Sequence, residues 1–177
     1  MAARAGTVIP PAAYRTLLQG PLGARLLLPP DATENQLAVV EHPLAPRALG
    51  SPVHTHSRED EYSIVLEGTV GVEIGEETFE AGPGSVIVKP RGIPHAFWNA
   101  TDQPARLLEI LAPAGFESYF AELGTIFARG GPPDPAALQA LAARYGLTMD
   151  PASIPRLAAA HGLDRRGRPP AGAGPNA

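Results

Sequence analysis

Two histidines, His54 and His56, stand at i and i+2, and a carboxylate, Glu61, follows five residues after the second. In an extended segment side chains alternate faces, so both imidazoles point the same way, about 7 Å apart at two rises of ~3.3 Å. Two such rings can close on one metal ion. A third imidazole should complete the set, and His95 is the candidate. Three imidazoles and a carboxylate suit a divalent first-row metal and leave room for water, substrate or dioxygen. The residue types do not choose among Fe, Mn, Ni, Co, Cu and Zn. Cysteine is absent, which removes disulfides, thiolate metal sites and a cysteine nucleophile together.

Glu59, Asp60 and Glu61 compete for the carboxylate position. Glu61 opens a strand-like run and should face inward with Ser63 and Val65. Glu59 and Asp60 are expected in solvent, pairing with Arg58. Phe97, two positions after His95, shares its inward face, so Ser63, Val65 and Phe97 are candidate pocket walls. Trp98 should face the other way, against a second sheet, the helices or a partner subunit. His42 and His161 read as structural histidines, and Lys89 and Arg91 as surface charges flanking a rigid Pro/Gly bend.

The elements that must position these residues are short strands. Ala24–Leu28, Gln36–His42, Glu61–Glu67, Val70–Ile74, Thr78–Glu80, Ser85–Lys89, His95–Asn99 and Ala105–Leu111 are separated by Gly/Pro-rich turns. That spacing argues for an antiparallel sandwich or barrel. From Pro113 the apolar period changes to helical: Phe116, Tyr119, Phe120, Leu123 and Phe127 share one face. Asp134-Pro135 predicts a capped second helix ending at Gly146, and a third runs from Ser153 or Ile154 to His161. The division is an N-terminal arm (1–21) with at most one helical turn, a β-barrel (22–112), a helical extension (113–163) and a disordered tail (164–177).

These residues resemble a known family, the cupins. The core of its first motif is matched as His54-x-His56-x4-Glu61-x6-Gly68, although Gly50 lies closer to His54 than the motif's first glycine does. The second motif is matched as Gly84, Pro90, Gly92, His95 and Asn99. The resemblance covers residues 35–112 and implies a mainly β, antiparallel jelly-roll barrel with C-terminal helices, holding one divalent metal on His54, His56, Glu61 and His95. The stretch from His54 to Phe120, including Pro113-Ala114-Gly115-Phe116-Glu117-x-Tyr119-Phe120, is similar to bacterial quercetinase-like cupins. It implies a dioxygenase in which the metal binds an enol or flavonol oxygen and Glu61 doubles as the base. A non-redox lyase or isomerase, and a small-molecule-binding protein without turnover, are the alternatives.

Partners follow from charge and patterning. With 14 Lys+Arg against 18 Asp+Glu, the net charge of −4 gives no case for nucleic acid or an anionic membrane. No run approaches the ~18 apolar residues of a membrane span, and a cytoplasmic location is expected. The partner is a small-molecule substrate. Tyr62, Ile64 and Leu66 make the second face of the Glu61 strand apolar too, so the C-terminal helices, another sheet or a second subunit must cover it, and a homodimer is expected.

Overall fold

The computed structural model describes residues 6–164. Eleven strands lie in two sheets: β1 (Arg15–Leu18), β2 (Ala24–Leu28), β3 (Ala38–Leu44), β4 (Leu49–His56), β5 (Asp60–Glu67), β6 (Val70–Ile74), β7 (Glu77–Ala81), β8 (Val86–Lys89), β9 (His95–Trp98), β10 (Ala105–Ala112) and β11 (Leu147–Asp150). The helices are α1 (Glu117–Phe127), α2 (Pro135–Arg144) and α3 (Ser153–His161). The six-stranded sheet runs β1-β2-β3-β10-β5-β8, and the five-stranded one β11-β4-β9-β6-β7. Every pairing is antiparallel. This is the expected jelly roll.

Alternation decides which residues the barrel encloses. Along β5, Glu61, Ser63 and Val65 are buried while Tyr62, Ile64 and Leu66 are half-exposed; along β10, Ala105, Leu107, Glu109 and Leu111 are buried. One apolar cluster fills the end of the barrel around Val65, Val70, Val72, Ile87, Phe97 and Leu107. A second joins the other end to the helices through Leu18, Leu26, Val40, Phe116, Phe120 and Leu141. Between them lies the polar layer that holds the histidines.

Two motif residues serve the chain path. Gly68 sits at φ 72°, a left-handed turn, and a Cβ there would meet the Pro104 carbonyl at 2.6 Å. Asn99 is buried; its Nδ2 donates to the Gln103 carbonyl (2.7 Å), and its Oδ1 accepts from the Thr101 amide (2.9 Å). These bonds tie the β9–β10 loop.

Two segments differ from expectation. Residues 15–18 lie in the expected arm yet form β1, because β2 offers a free edge and Leu18 can be buried. Residues 147–150 lie in the expected helical extension yet form β11, which pairs Leu147 with His56 and Met149 with His54. Backbone groups at the edge of β4 need partners, and this short run supplies them. The helices stand where helical spacing placed them, and Asp134 caps α2 by accepting from the Ala136 amide at 2.9 Å. α3 covers the five-stranded sheet, where Trp98 stacks on His161 with centroids 4.0 Å apart. Trp98 thus faces a helix. The expected tail from residue 165 and the first five residues of the arm lie outside the described residues. No helix among the described residues is long and apolar enough to cross a membrane.

Candidate metal centre

The two sheets meet at four side chains. His54 and His56 come from β4, His95 from β9 directly opposite His54, and Glu61 from β5 on the facing sheet. All four are buried, and one ligand atom from each lies within 4.8 Å of the others, so the cluster could hold a metal ion. The spacing of donors in a chelate of one ion at ~2.0–2.2 Å per bond is of this size.

Hydrogen bonds orient the rings. His54 Nδ1 lies 2.9 Å from the Pro52 carbonyl and His95 Nδ1 lies 3.0 Å from the Ile93 carbonyl. A carbonyl only accepts, so Nδ1 carries the proton in both rings and Nε2 presents a lone pair. Across from them the Glu61 carboxylate also presents lone pairs, with Oε2 3.1 Å from His95 Nε2 and Oε1 3.2 Å from His56 Nε2. Acceptors facing acceptors inside a protein call for a cation between them. Neither ring nitrogen of His56 has a hydrogen-bond partner, which is the same demand stated a second time. The residues therefore fit a divalent metal.

Charges around the cluster differ from those expected. Lys89, expected at the surface, is 1% exposed and directly opposite Glu61 in the β5–β8 pairing. Its Nζ donates to Glu61 Oε2 (2.9 Å) and to Glu109 Oε2 (2.8 Å). Glu109 also accepts from Ser63 Oγ at 2.9 Å. Both residues were legible in principle: Lys89 is in phase with buried Ile87, and Glu109 lies between buried Leu107 and Leu111. Burial opposes ionisation of Glu61, but the Lys89 ammonium holds its carboxyl well below the usual range. Burial pushes Glu109 up to about 7 against the pull of Lys89. Burial would lower Lys89, yet Glu109 and Glu61 together raise it. Burial, then the neighbouring His95, pushes the His54 imidazole down to about 3, so it is a neutral donor at neutral pH.

Glu59 is a second correction. It is buried, with Oε2 3.4 Å from His56 Nδ1, while Asp60 leaves Arg58 for Arg91 at 2.7 Å. The β4–β5 turn folds back tightly enough to carry Glu59 under the cluster.

A cavity of about 430 Å³ opens onto His54, Glu61 and Glu109. Phe97 lines it. Ser63 and Val65 are not among its lining residues: Ser63 is spent on Glu109, and Val65 packs into the core at the opposite end of the barrel. Further walls come from the N-terminal edge of the six-stranded sheet and from the segment leading into α1. Leu18, Leu22, Phe116, Tyr119 and Phe120 line the cavity, and the Phe116 ring meets His56 edge-on at 4.3 Å between centroids. His42 keeps its structural role, with Nδ1 2.7 Å from the Gly23 carbonyl, and adds its ring to the wall.

Residues 41–111 match the Cupin_2 family, a cupin domain. Among solved structures the chain resembles KdgF from Halomonas sp., at 16% identity with TM-score 0.56, covering 64% of this chain and 99% of that one. It resembles a predicted oxalate decarboxylase from Thermotoga maritima at 17% identity with TM-score 0.54, covering 61% and 100%. It also resembles the polyketide cyclase RemF from Streptomyces resistomycificus at 26% identity with TM-score 0.52, covering 62% and 81%. No curated protein matches. Residues 41–111 thus carry a cupin domain, and the buried three-histidine, one-glutamate cluster lies within it.

Proposed function

We propose that this protein is a metal-dependent dioxygenase acting on a small, largely apolar organic substrate of the enol, flavonol or 1,3-diketone kind. The observation that carries the reading is the cavity itself, walled by aromatic and aliphatic side chains and ending at His54 and Glu61. His54, His56, Glu61 and His95 would hold the metal. Bound there, a divalent ion would acidify a substrate hydroxyl as a Lewis acid and, if redox-active, give dioxygen a route to the substrate. Phe116 and Phe120 exclude water and press a flat substrate toward the cluster. Glu61 is the base that takes the substrate proton. Lys89 keeps it ionised and holds Oε2, and a carboxylate of low pKa is strong enough only for a hydroxyl already acidified.

The test is metal analysis of the purified protein beside oxygen uptake with a panel of flavonols and 1,3-diketones. About one redox-capable metal per chain with oxygen consumption is the expected result. A loaded site that turns over the panel only without oxygen consumption would sink the dioxygenase reading. It would favour a second one, a non-redox lyase, isomerase or cyclase, for which the 26% identity to a polyketide cyclase speaks. That reaction would run with zinc under nitrogen.

The proposal extends to assembly and place. The outer face of the six-stranded sheet sets Val86 beside Ile64 and Val88 beside Tyr62. Val86 is 63% exposed and Val88 52%. A second copy of the chain is the occupant we assign to this face, in a homodimer acting in the cytoplasm.

A further inference from the structure

The three histidines of the cluster are not held alike. His54 and His95 direct Nδ1 at the carbonyls of Pro52 and Ile93, in each case two residues earlier in the chain. His56 has no such carbonyl. What faces its Nδ1 is Glu59 Oε2, at 3.4 Å. Both side chains are buried, and both atoms lack a hydrogen-bond partner. Buried polar atoms without partners call for an explanation, and these two answer each other.

Glu59 stands behind the ring, not among the ligands. His56 turns Nε2 to the cluster, 3.2 Å from Glu61 Oε1, and Glu59 meets the other nitrogen. For Nε2 to offer a lone pair to an ion, the ring proton must sit on Nδ1, where a buried N–H needs an acceptor. The chain path provides one. β4 ends at His56 and β5 begins at Asp60, so the turn over residues 57–59 brings a carboxylate back to the ring it has just left.

We propose that Glu59 is a positioning residue for the metal: its carboxylate accepts the Nδ1 proton of His56, fixing the tautomer and the ring orientation that aim Nε2 at the cluster. An ionised acceptor makes a stronger hydrogen bond than a backbone carbonyl and raises the basicity of the ligand behind which it stands. His56 is thereby the strongest imidazole donor of the three. The assignment rests on the cluster being a metal centre, as proposed above, and is independent of the reaction run there.

Two measurements on the full chain test it: zinc affinity by competition with a chromophoric chelator, and proton–nitrogen correlation spectra of the zinc-loaded protein carrying isotope-labelled histidine. In the wild type the His56 Nδ1–H signal is expected downfield of those of His54 and His95, the mark of a carboxylate acceptor. Glu59→Leu should weaken zinc binding about 10–100-fold and move the His56 signal upfield while the other two stay. Glu59→Gln keeps an oxygen that accepts, and should recover at least half of the lost affinity on a logarithmic scale. Unchanged zinc affinity in Glu59→Leu, or an equal loss in Glu59→Gln, overturns the assignment, as does a His56 signal that does not move. Should Glu59→Leu not fold, the wild-type spectrum decides: a His56 signal level with the other two overturns it. If the wild type takes up no zinc, the reading of the cluster as a metal centre falls too; if zinc binds without dependence on Glu59, the assignment falls alone.

Discussion

Lys89 is the residue on which the buried charges depend. It is the only lysine in the chain, and its ammonium serves two carboxylates that have no solvent to fall back on. Removing one partner of a buried ion pair leaves an uncompensated charge, typically a loss of about 3–5 kcal/mol. Lys89→Met should destabilise the metal-free protein by that order in urea unfolding. Adding Glu109→Leu should restore at least half of it, because the second carboxylate is then gone; no recovery would show that Glu109 is not a partner in the network. His42 gives a pH prediction of definite sign. Burial pushes its imidazole down to about 4 from an ordinary 6.5. A depressed histidine contributes stability that is full above the unfolded value and is lost as pH falls through the folded one. The loss between pH 6.5 and 4 is about 3 kcal/mol, and His42→Asn should flatten that part of the stability–pH curve relative to wild type. At the cluster, His95→Ala should lower bound metal by a hundredfold or more; unchanged metal content would remove His95 from the ligand set. The ligand residues were legible because histidines two apart on a strand have few other reasons to share a face. Lys89 and Glu109 were legible only through the phase of Ile87, Leu107 and Leu111, because a charge on a strand is ordinarily turned outward.

At the level of elements, close approach rather than propensity sets the packing. β6 crosses β9 where Gly71 faces Trp98, and a Cβ on Gly71 would overlap the indole. Gly71→Ala should therefore destabilise by about 1–3 kcal/mol, the usual range for overpacking. Trp98 is the only tryptophan, so the displaced ring can be followed directly: its emission should move to the red as the stack on His161 opens. An unchanged spectrum and stability would mean that the strand shifts instead. Most barrel strands were visible from alternation and Gly/Pro punctuation. β1 and β11 were not: four residues each, Arg-Thr-Leu-Leu and Leu-Thr-Met-Asp carry no periodic signal of their own. Their conformation comes from an unpaired edge elsewhere in the fold, which is information held by β2 and β4.

For the whole molecule, the distribution of apolar surface separates two uses. One apolar region is concave and closes over the histidines; the other is the outer face around Val86 and Val88. If the outer face joins two copies, light scattering after gel filtration should give twice the chain mass, and Val86→Lys with Val88→Lys should give one. Metal content should not change in that variant, since β8 presents Lys89, not the valines, to the interior. A monomeric wild type would remove the dimer. The two-sheet architecture was legible as a whole, because many short strands with regular turns admit few arrangements. The cavity was not, because its walls come from residues near 18, 42, 97 and 116–120, which only the folded chain brings together.

The pairing of β11 with β4 has a consequence in time. A ribosome delivers His54 and His56 some ninety residues before Leu147 and Met149 arrive to cover that strand's edge. Throughout that interval the strand carrying two of the candidate ligands has its outer edge unpaired, the condition under which strands recruit neighbours. The edge of β4 is thus covered only after every other strand of the two sheets has been made.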